Sequence, residues 1–429
     1  MFATVSVHSN LDKGAARWWR ALWLVWVVVA WAALPSLAQR LIWLGTLGGN
    51  RSAASGVSAD GSVVVGYAQN AAGQWSAFRW TAAGGMQDLG TLPGSDESMA
   101  RGVSADGSVV VGTAADLDNY SAAFRWTLAS GRMQRLDIFA YRDSMAYDVS
   151  ADGSVVVGAI KNNNYRFRAF RWTEASGRMQ ELGTLGGDWS VARGVSADGS
   201  VVVGIADRPL NSGEHAFRWT LASGRMQDLG TLGGLWSWAL GVSADGSVVV
   251  GVSKTGSYMQ HAFRWTLASG QMQNLGTLGG ESSSAYGASA DGSIVVGWAR
   301  IASGGIRAFR WTVSGGMEDL NTTYANLLSP GAYLEAAYAI SPDGRFIVGN
   351  GYNSQTNRYE AFLLDTQPGC AAHDGDVDNN GCVDDADLLA VLFAFGNTGS
   401  NLGRVDVNCD GVVDDADLLI VLFHFGSGC

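Results

Sequence analysis

Residues 56–66 read GVSADGSVVVG, and this stretch decides the fold. It returns unchanged at 102–112, with Asp148 leading at 148–158, and again at 194–204 and 241–251. A sixth copy, GASADGSIVVG, fills 287–297, and a seventh, AISPDGRFIVG, fills 339–349. A period of 46 or 47 residues, stretched to 52 before the last copy, marks a repeat architecture. The Asp-Gly within each copy signals a tight hairpin. The valine run after it puts apolar groups on both faces of a strand, so that strand needs cover on both sides.

Each period holds four short strand-like pieces. In the fourth copy, Ala192–Ser196 and Ser200–Ile205 form a hairpin, Ala216–Thr220 a third strand and Met226–Gly230 a fourth. The third strand repeats as AFRWT at 77–81, 123–127, 169–173, 216–220, 262–266 and 308–312, then as AFLLD at 361–365. Phe and Trp two residues apart share one face, and the Arg between them takes the other. These aromatics read as packing between neighbouring sheets. Fourth strands begin at Met86, Met133, Met179, Met226, Met272 and Met317, one fewer than the repeats. The orphan piece Leu41–Gly45 precedes the first repeat and supplies the missing strand. The expected fold is mainly β: a seven-bladed β-propeller of four-stranded blades over 39–366, closed by an N-terminal strand.

These residues resemble the HAF-type extracellular repeat family, named for His-Ala-Phe before Arg-Trp. His215 and His261 match the name, while Ser76, Ala122, Arg168, Arg307 and Glu360 hold that position elsewhere. The resemblance covers about three quarters of the chain and implies an extracytoplasmic, propeller-like domain.

With 58 Gly, 6 Pro and 47% hydrophobic residues in 429, the composition fits short strands and tight turns rather than disorder. Residues 1–38 read as a secretory signal: Lys13, Arg17 and Arg20 precede the apolar run 21–34, and Ser36-Leu37-Ala38 supplies small cleavage residues. No later segment reads as long and apolar enough to span a membrane. No basic patch offers a nucleic-acid footprint. The expected location is secreted or cell-surface.

Two connections vary strongly between repeats and two are nearly constant. In an up-and-down sheet the varied pair falls on one end, which makes that end the expected recognition face. It carries Trp75, Tyr120, Tyr165, Trp189, Trp236, Trp238 and Tyr258, with Arg51, Arg142 and Asn163 nearby. Aromatics beside polar groups suit a glycan or protein ligand. Asp96, Glu97, Asp143 and Asp188 share this side but show no glycosidase-like spacing. No nucleophile motif, phosphate loop or zinc-type His cluster occurs.

Residues 366–429 hold eleven Asp, no Glu and one base, Arg404. All four cysteines, Cys370, Cys382, Cys409 and Cys429, lie here as disulfide candidates with three possible pairings. Residues 376–387 read DVDNNGCVDDAD and 406–417 read DVNCDGVVDDAD. Oxygen donors at loop positions 1, 3, 5, 7, 9 and 12, with Gly at 6, are the pattern of a calcium loop. The first loop offers Asp376, Asp378, Asn380, the Cys382 carbonyl, Asp384 and Asp387. The second offers Asp406, Asn408, Asp410, the Val412 carbonyl, Asp414 and Asp417. An apolar helix follows each, over 388–395 and 418–425.

Two loop–helix units with Asp at position 12 resemble a type I dockerin over 374–427, and the expected dockerin-like domain is 376–429, after a linker at 367–375. The resemblance implies two calcium ions and a cohesin-like or cell-surface protein partner. Asp385-Ala386 and Asp415-Ala416 stand where that family carries its Ser/Thr recognition pair. The expectation is a secreted, non-catalytic binding or scaffolding protein. The alternative is a polysaccharide-degrading enzyme, a hydrolase or lyase, carried by a dockerin as in a cellulosome.

Overall fold

A computed structural model describes residues 39–116, 120–136, 143–366, 374–378, 380–398, 402–408 and 412–429. Residues 39–367 form one compact unit, and the described residues from 374 onward belong to another. The signal expected at 1–38 lies outside the described residues, as do Arg142, Cys370, Cys409 and Asp410. Among the described residues no helix is long and apolar enough to cross a membrane.

The first unit is built of four-stranded antiparallel sheets, each a meander through one repeat. The fourth repeat gives Ser190–Val195, Val201–Asp207, Glu214–Thr220 and Met226–Asp228. The first and third strands start about two residues earlier than the sequence pattern suggests, because the varied connections continue the ladders. The last repeat supplies Tyr333–Ile340, Phe346–Asn353 and Arg358–Asp365. Its fourth strand is Arg40–Gly45, which pairs antiparallel with 358–365 and sets Trp43 opposite Phe362. The rings of these two meet edge to face at 6.4 Å.

Local chemistry fixes each repeat. The Ser58 hydroxyl donates to Asp60 (2.7 Å) and accepts the Val63 N–H (2.9 Å). The same Ser–Asp turn recurs at 104, 150, 196, 243, 289 and 341. Hydrogen bonds from the Ser196 hydroxyl and the Ser200 N–H hold Asp198 below the usual carboxylate range. Gly66 ends its valine run because a Cβ there would sit 2.1 Å from the Ala53 carbonyl oxygen.

Neighbouring sheets interlock through the same positions. Val63, Val65 and Ala77 pack against Ala100, Val110, Phe124 and Trp126 of the next sheet. The third-strand Phe is fully buried in every repeat, worth about 1.5–3 kcal/mol per side chain. The Ala77 N–H donates to Ser98 of the following sheet (2.9 Å), and that serine donates to the Gly90 carbonyl (2.6 Å). Arg218 Nε donates across to the Gly246 carbonyl of the next turn (2.9 Å). A relay of backbone bonds joins the turns: Ala59 to Ala105, Ala105 to Ala151, Ala151 to Ala197, Ala197 to Ala244, Ala244 to Ala290, and Ala290 to Pro342.

The last and first repeats meet in the same manner. Ala361 N–H donates to Ser52 (2.8 Å), and Gly61 lies under the Phe346 ring. Val348, Ala361 and Leu363 share one core with Ala54, Val64, Phe78 and Trp80. Each first strand touches the first strands of the sheets before and after it, and 333–340 touches 48–57.

The second unit is a duplicated half. Helices Asp385–Ala394 and Asp415–His424 begin three residues before the expected starts. Asp384 and Asp414 cap them, each within a capping box closed by Asp387 or Asp417, which adds an extra turn. The core is six valines in matched pairs: Val377 and Val407, Val383 and Val413, Val391 and Val421. Val383 pairs with the chain after the second helix, and Val413 with the chain after the first. A disulfide joins Cys382 to Cys429.

Candidate functional site: an acidic loop and the varied face

In the first acidic loop, carboxylate oxygens of Asp376, Asp378 and Asp387 come within 4.8 Å of one another and could hold a metal ion. Asp387 is fully buried. Its carboxylate accepts the N–H groups of Val377 (2.6 Å), Asp378 (3.0 Å) and Asp384 (2.9 Å). Burial works against its charge, but those N–H bonds outweigh it and hold Asp387 below the usual range. Gly381 takes a left-handed φ of +90° at the turn, where a side chain would be strained. Arg404, the one base of this unit, is directed at the carbonyls of Asp376 and Val377. Three crowded carboxylates with oxygen donors only fit a hard divalent cation.

Two other expected ligands of this loop accept backbone N–H groups. Asn380 turns its amide oxygen to the Cys382 N–H (2.7 Å), and Asp384 accepts the Ala386 N–H (2.8 Å) as helix cap. In the second loop Asp406 and Asp417 are buried, and Asp417 accepts the N–H groups of Asn408 and Asp414 at 2.9 Å. Asp414 caps its helix through the Ala416 N–H (2.8 Å), while Val412 bridges to Thr398. The second loop thus repeats the first in its buried position-12 carboxylate and in its helix cap.

With the valines inward, both helices turn the same apolar set outward. Leu389, Leu392, Phe393 and Phe395 are exposed on one, and Leu419, Leu422, Phe423 and Phe425 on the other, with Phe393 at 87% and Phe423 at 83%.

The aromatics expected on the varied face spread around it. Tyr120, Tyr165 and Tyr258 are exposed, and the last two sit at left-handed turn positions. Trp189 is half-buried beside Asp188. Trp236 and Trp238 lie within a first strand, 233–242, rather than in a connection, and stack at 4.7 Å. Trp75 opens a third strand and meets Tyr67 edge to face at 5.3 Å.

Two of the acidic groups on this face brace the backbone, while the Asp188 carboxylate is exposed. Asp143 is buried, paired with Lys161, and accepts the Ser121 N–H (3.0 Å). Glu97 accepts the Trp75 N–H (3.3 Å). The signature histidine also has a structural role: His215 Nδ1 bonds Asp228 at 2.7 Å, and His261 bonds Asn274. Each ties a third strand to the fourth beside it.

No protein-family model matches the chain, and no curated protein matches it in sequence. Among solved structures it is similar to an oligogalacturonate lyase from Vibrio parahaemolyticus at 11% identity and a TM-score of 0.50, covering 78% of this chain and 92% of that one. An oligogalacturonate lyase in complex with manganese gives 14% identity and a TM-score of 0.49, covering 76% and 92%. TolB from Acinetobacter baumannii gives 14% and 0.44, covering 72% of this chain and 65% of that one, under two thirds of its length. The likeness to the Vibrio structure extends to the fold and no further.

Proposed function

We propose that the protein is a secreted or cell-surface binding and scaffolding protein without catalysis of its own. Its sheets make a closed seven-bladed propeller, in which 40–45 completes the last blade. The unbroken circuit of first-strand contacts and the Ala361–Ser52 bond support closure. The varied face takes a glycan or protein ligand. The duplicated tail binds two calcium ions, one per loop, and attaches the protein to a cell-surface or cohesin-like partner. The structural carboxylates Glu97 and Asp143 favour binding over a polysaccharide-degrading activity, because their bonds are already committed to the backbone.

One observation carries this reading. The valine core of the tail is complete, yet both helices show solvent the same Leu and Phe side chains. A contiguous apolar patch on a soluble surface marks an interaction site. The test is co-sedimentation of the full chain with cell envelopes in calcium. Binding is expected to vanish with chelator and in Phe393→Ser/Phe423→Ser. Sedimentation indifferent to both would sink the docking role.

A further inference from the structure

The junction of the last and first sheets holds a cavity of about 410 Å³, within the size range of small-molecule sites. It is lined from one side by Arg51, Ala53, Tyr67 and Trp75, and from the other by Glu335, Tyr338, Asn350 and Tyr359. Strand register explains why it opens here. Ala53 pairs with Tyr67 as Met99 does with Thr113, Met145 with Ala159, Val191 with Ile205 and Trp238 with Val252. In the last sheet the pair is Ala336 with Asn350. First-strand Met99, Met145, Val191 and Trp238 fill this level in the second to fifth sheets and second-strand Trp298, opposite Ser284, in the sixth, whereas the two sheets flanking the cavity carry first-strand alanine.

The lining sets the ligand chemistry. Tyr67 and Trp75 meet edge to face, so the wall offers both a ring face and a ring edge. Asn350 donates to Glu335 (2.7 Å), but its Oδ1 is buried with no hydrogen-bond partner among the described residues. The Asn350–Glu335 bond holds the Glu335 carboxylate in place as the cavity's acceptor for a ligand hydroxyl. Burial, with Tyr67 and Tyr286 beside it, pushes the Tyr338 phenol far above its ordinary range, so it stays a neutral donor. Arg51 lies 5.6 Å over the Tyr359 ring, and Arg101 lies 5.3 Å over the Tyr67 ring. Two guanidinium groups beside the cavity disfavour a cationic guest.

The geometry points to a pyranose unit of an extracellular carbohydrate as the occupant of this cavity. Its C–H face lies on the aromatic wall, its hydroxyls donate to Glu335, and its oxygens accept from Arg51 and Tyr338. This rests on the reading of the varied face as the recognition face.

The test is calorimetric titration of the full chain with cellobiose, xylobiose, mannobiose, laminaribiose, galactobiose and chitobiose. At least one disaccharide is expected to bind. Ala53→Met fills the cavity with a side chain already present at this level in two other sheets, and should weaken binding tenfold or more. Asn350→Leu removes the bond that positions Glu335 and should do the same while the melting temperature holds. Saccharide binding that survives Ala53→Met but is lost in Trp236→Ala overturns the cavity and leaves the recognition face standing. No binding by any of the six overturns the cavity, and the recognition face falls only if a polysaccharide and protein array is also blank.

Discussion

The two halves of this protein both arise by duplication, yet they end differently. In the repeat unit every apolar sheet face meets the next copy, so Phe78 through Phe362 are all fully buried. In the tail there are only two copies. Their valines cover each other, and the opposite helix faces, with Phe393 and Phe423, have no third copy to cover them. An array in which each copy packs on the next consumes its sticky surface, whereas a pair leaves half of it over. The tail's small core also leans on other supports, a disulfide and a candidate cation site, which the larger unit does not need.

Chelation breaks this contrast most severely. With EGTA the tail should unfold, losing helical circular dichroism and becoming sensitive to protease beyond residue 374, while the strand signal and main melting transition persist. Concerted loss of both would refute the separation. Cys382→Ser should cost the tail alone about 4 kcal/mol, from the entropy of a loop spanning 47 residues.

Matched core truncations sharpen the comparison. Val421→Ala and Val202→Ala each remove two methyl groups at fully buried sites, at a cost of about 2 kcal/mol. The tail's midpoint should fall by roughly 8–16 °C and the larger unit's by half that or less. Equal shifts in calorimetry would mean that the two cores are equally redundant.

The smallest effect concerns Asp148, which stands where five other repeats have glycine. Its carboxylate bridges the N–H of Val149 (2.8 Å) and the N–H of Val195 in the next sheet (2.9 Å). Burial raises it from 3.8 to about 6 despite those bonds. The folded carboxyl therefore holds its proton more tightly than the unfolded one. Its stabilising contribution is full below pH 3.8, erodes between 3.8 and 6, and is gone above. Asp148→Asn should flatten that part of the melting-temperature profile, with a gain of about one or two degrees at pH 8. A loss at pH 8 would show that the two N–H bonds outweigh burial.

The repeat period, the Asp-Gly hairpins, the packing role of Phe and Trp, and the orphan strand at 41–45 were legible because each is a local pattern repeated many times. The calcium-type spacing was legible for the same reason, and the structure brings Asp376, Asp378 and Asp387 together. The serines at 52, 98, 144, 190, 237 and 283 were not. They sit in the opening part of the first strands, where the sequence reads as varied connection, and their partner N–H lies in another sheet, 309 residues away for Ser52. Nor was the cavity, because it depends on Ala53 being small opposite Tyr338 and Asn350, a juxtaposition created only when distant ends meet. Trp75 alone among the expected aromatics lines it.

Pro342 occupies the place where the other turns carry alanine, and proline has no N–H to pass forward. The relay that runs from Ala59 to Pro342 therefore cannot be handed back to Ala59. The joint between the last and first turns is thus one strap short of its siblings. Amide exchange should loosen there before anywhere else on the rim, and a guest entering between the two ends would act as the clasp.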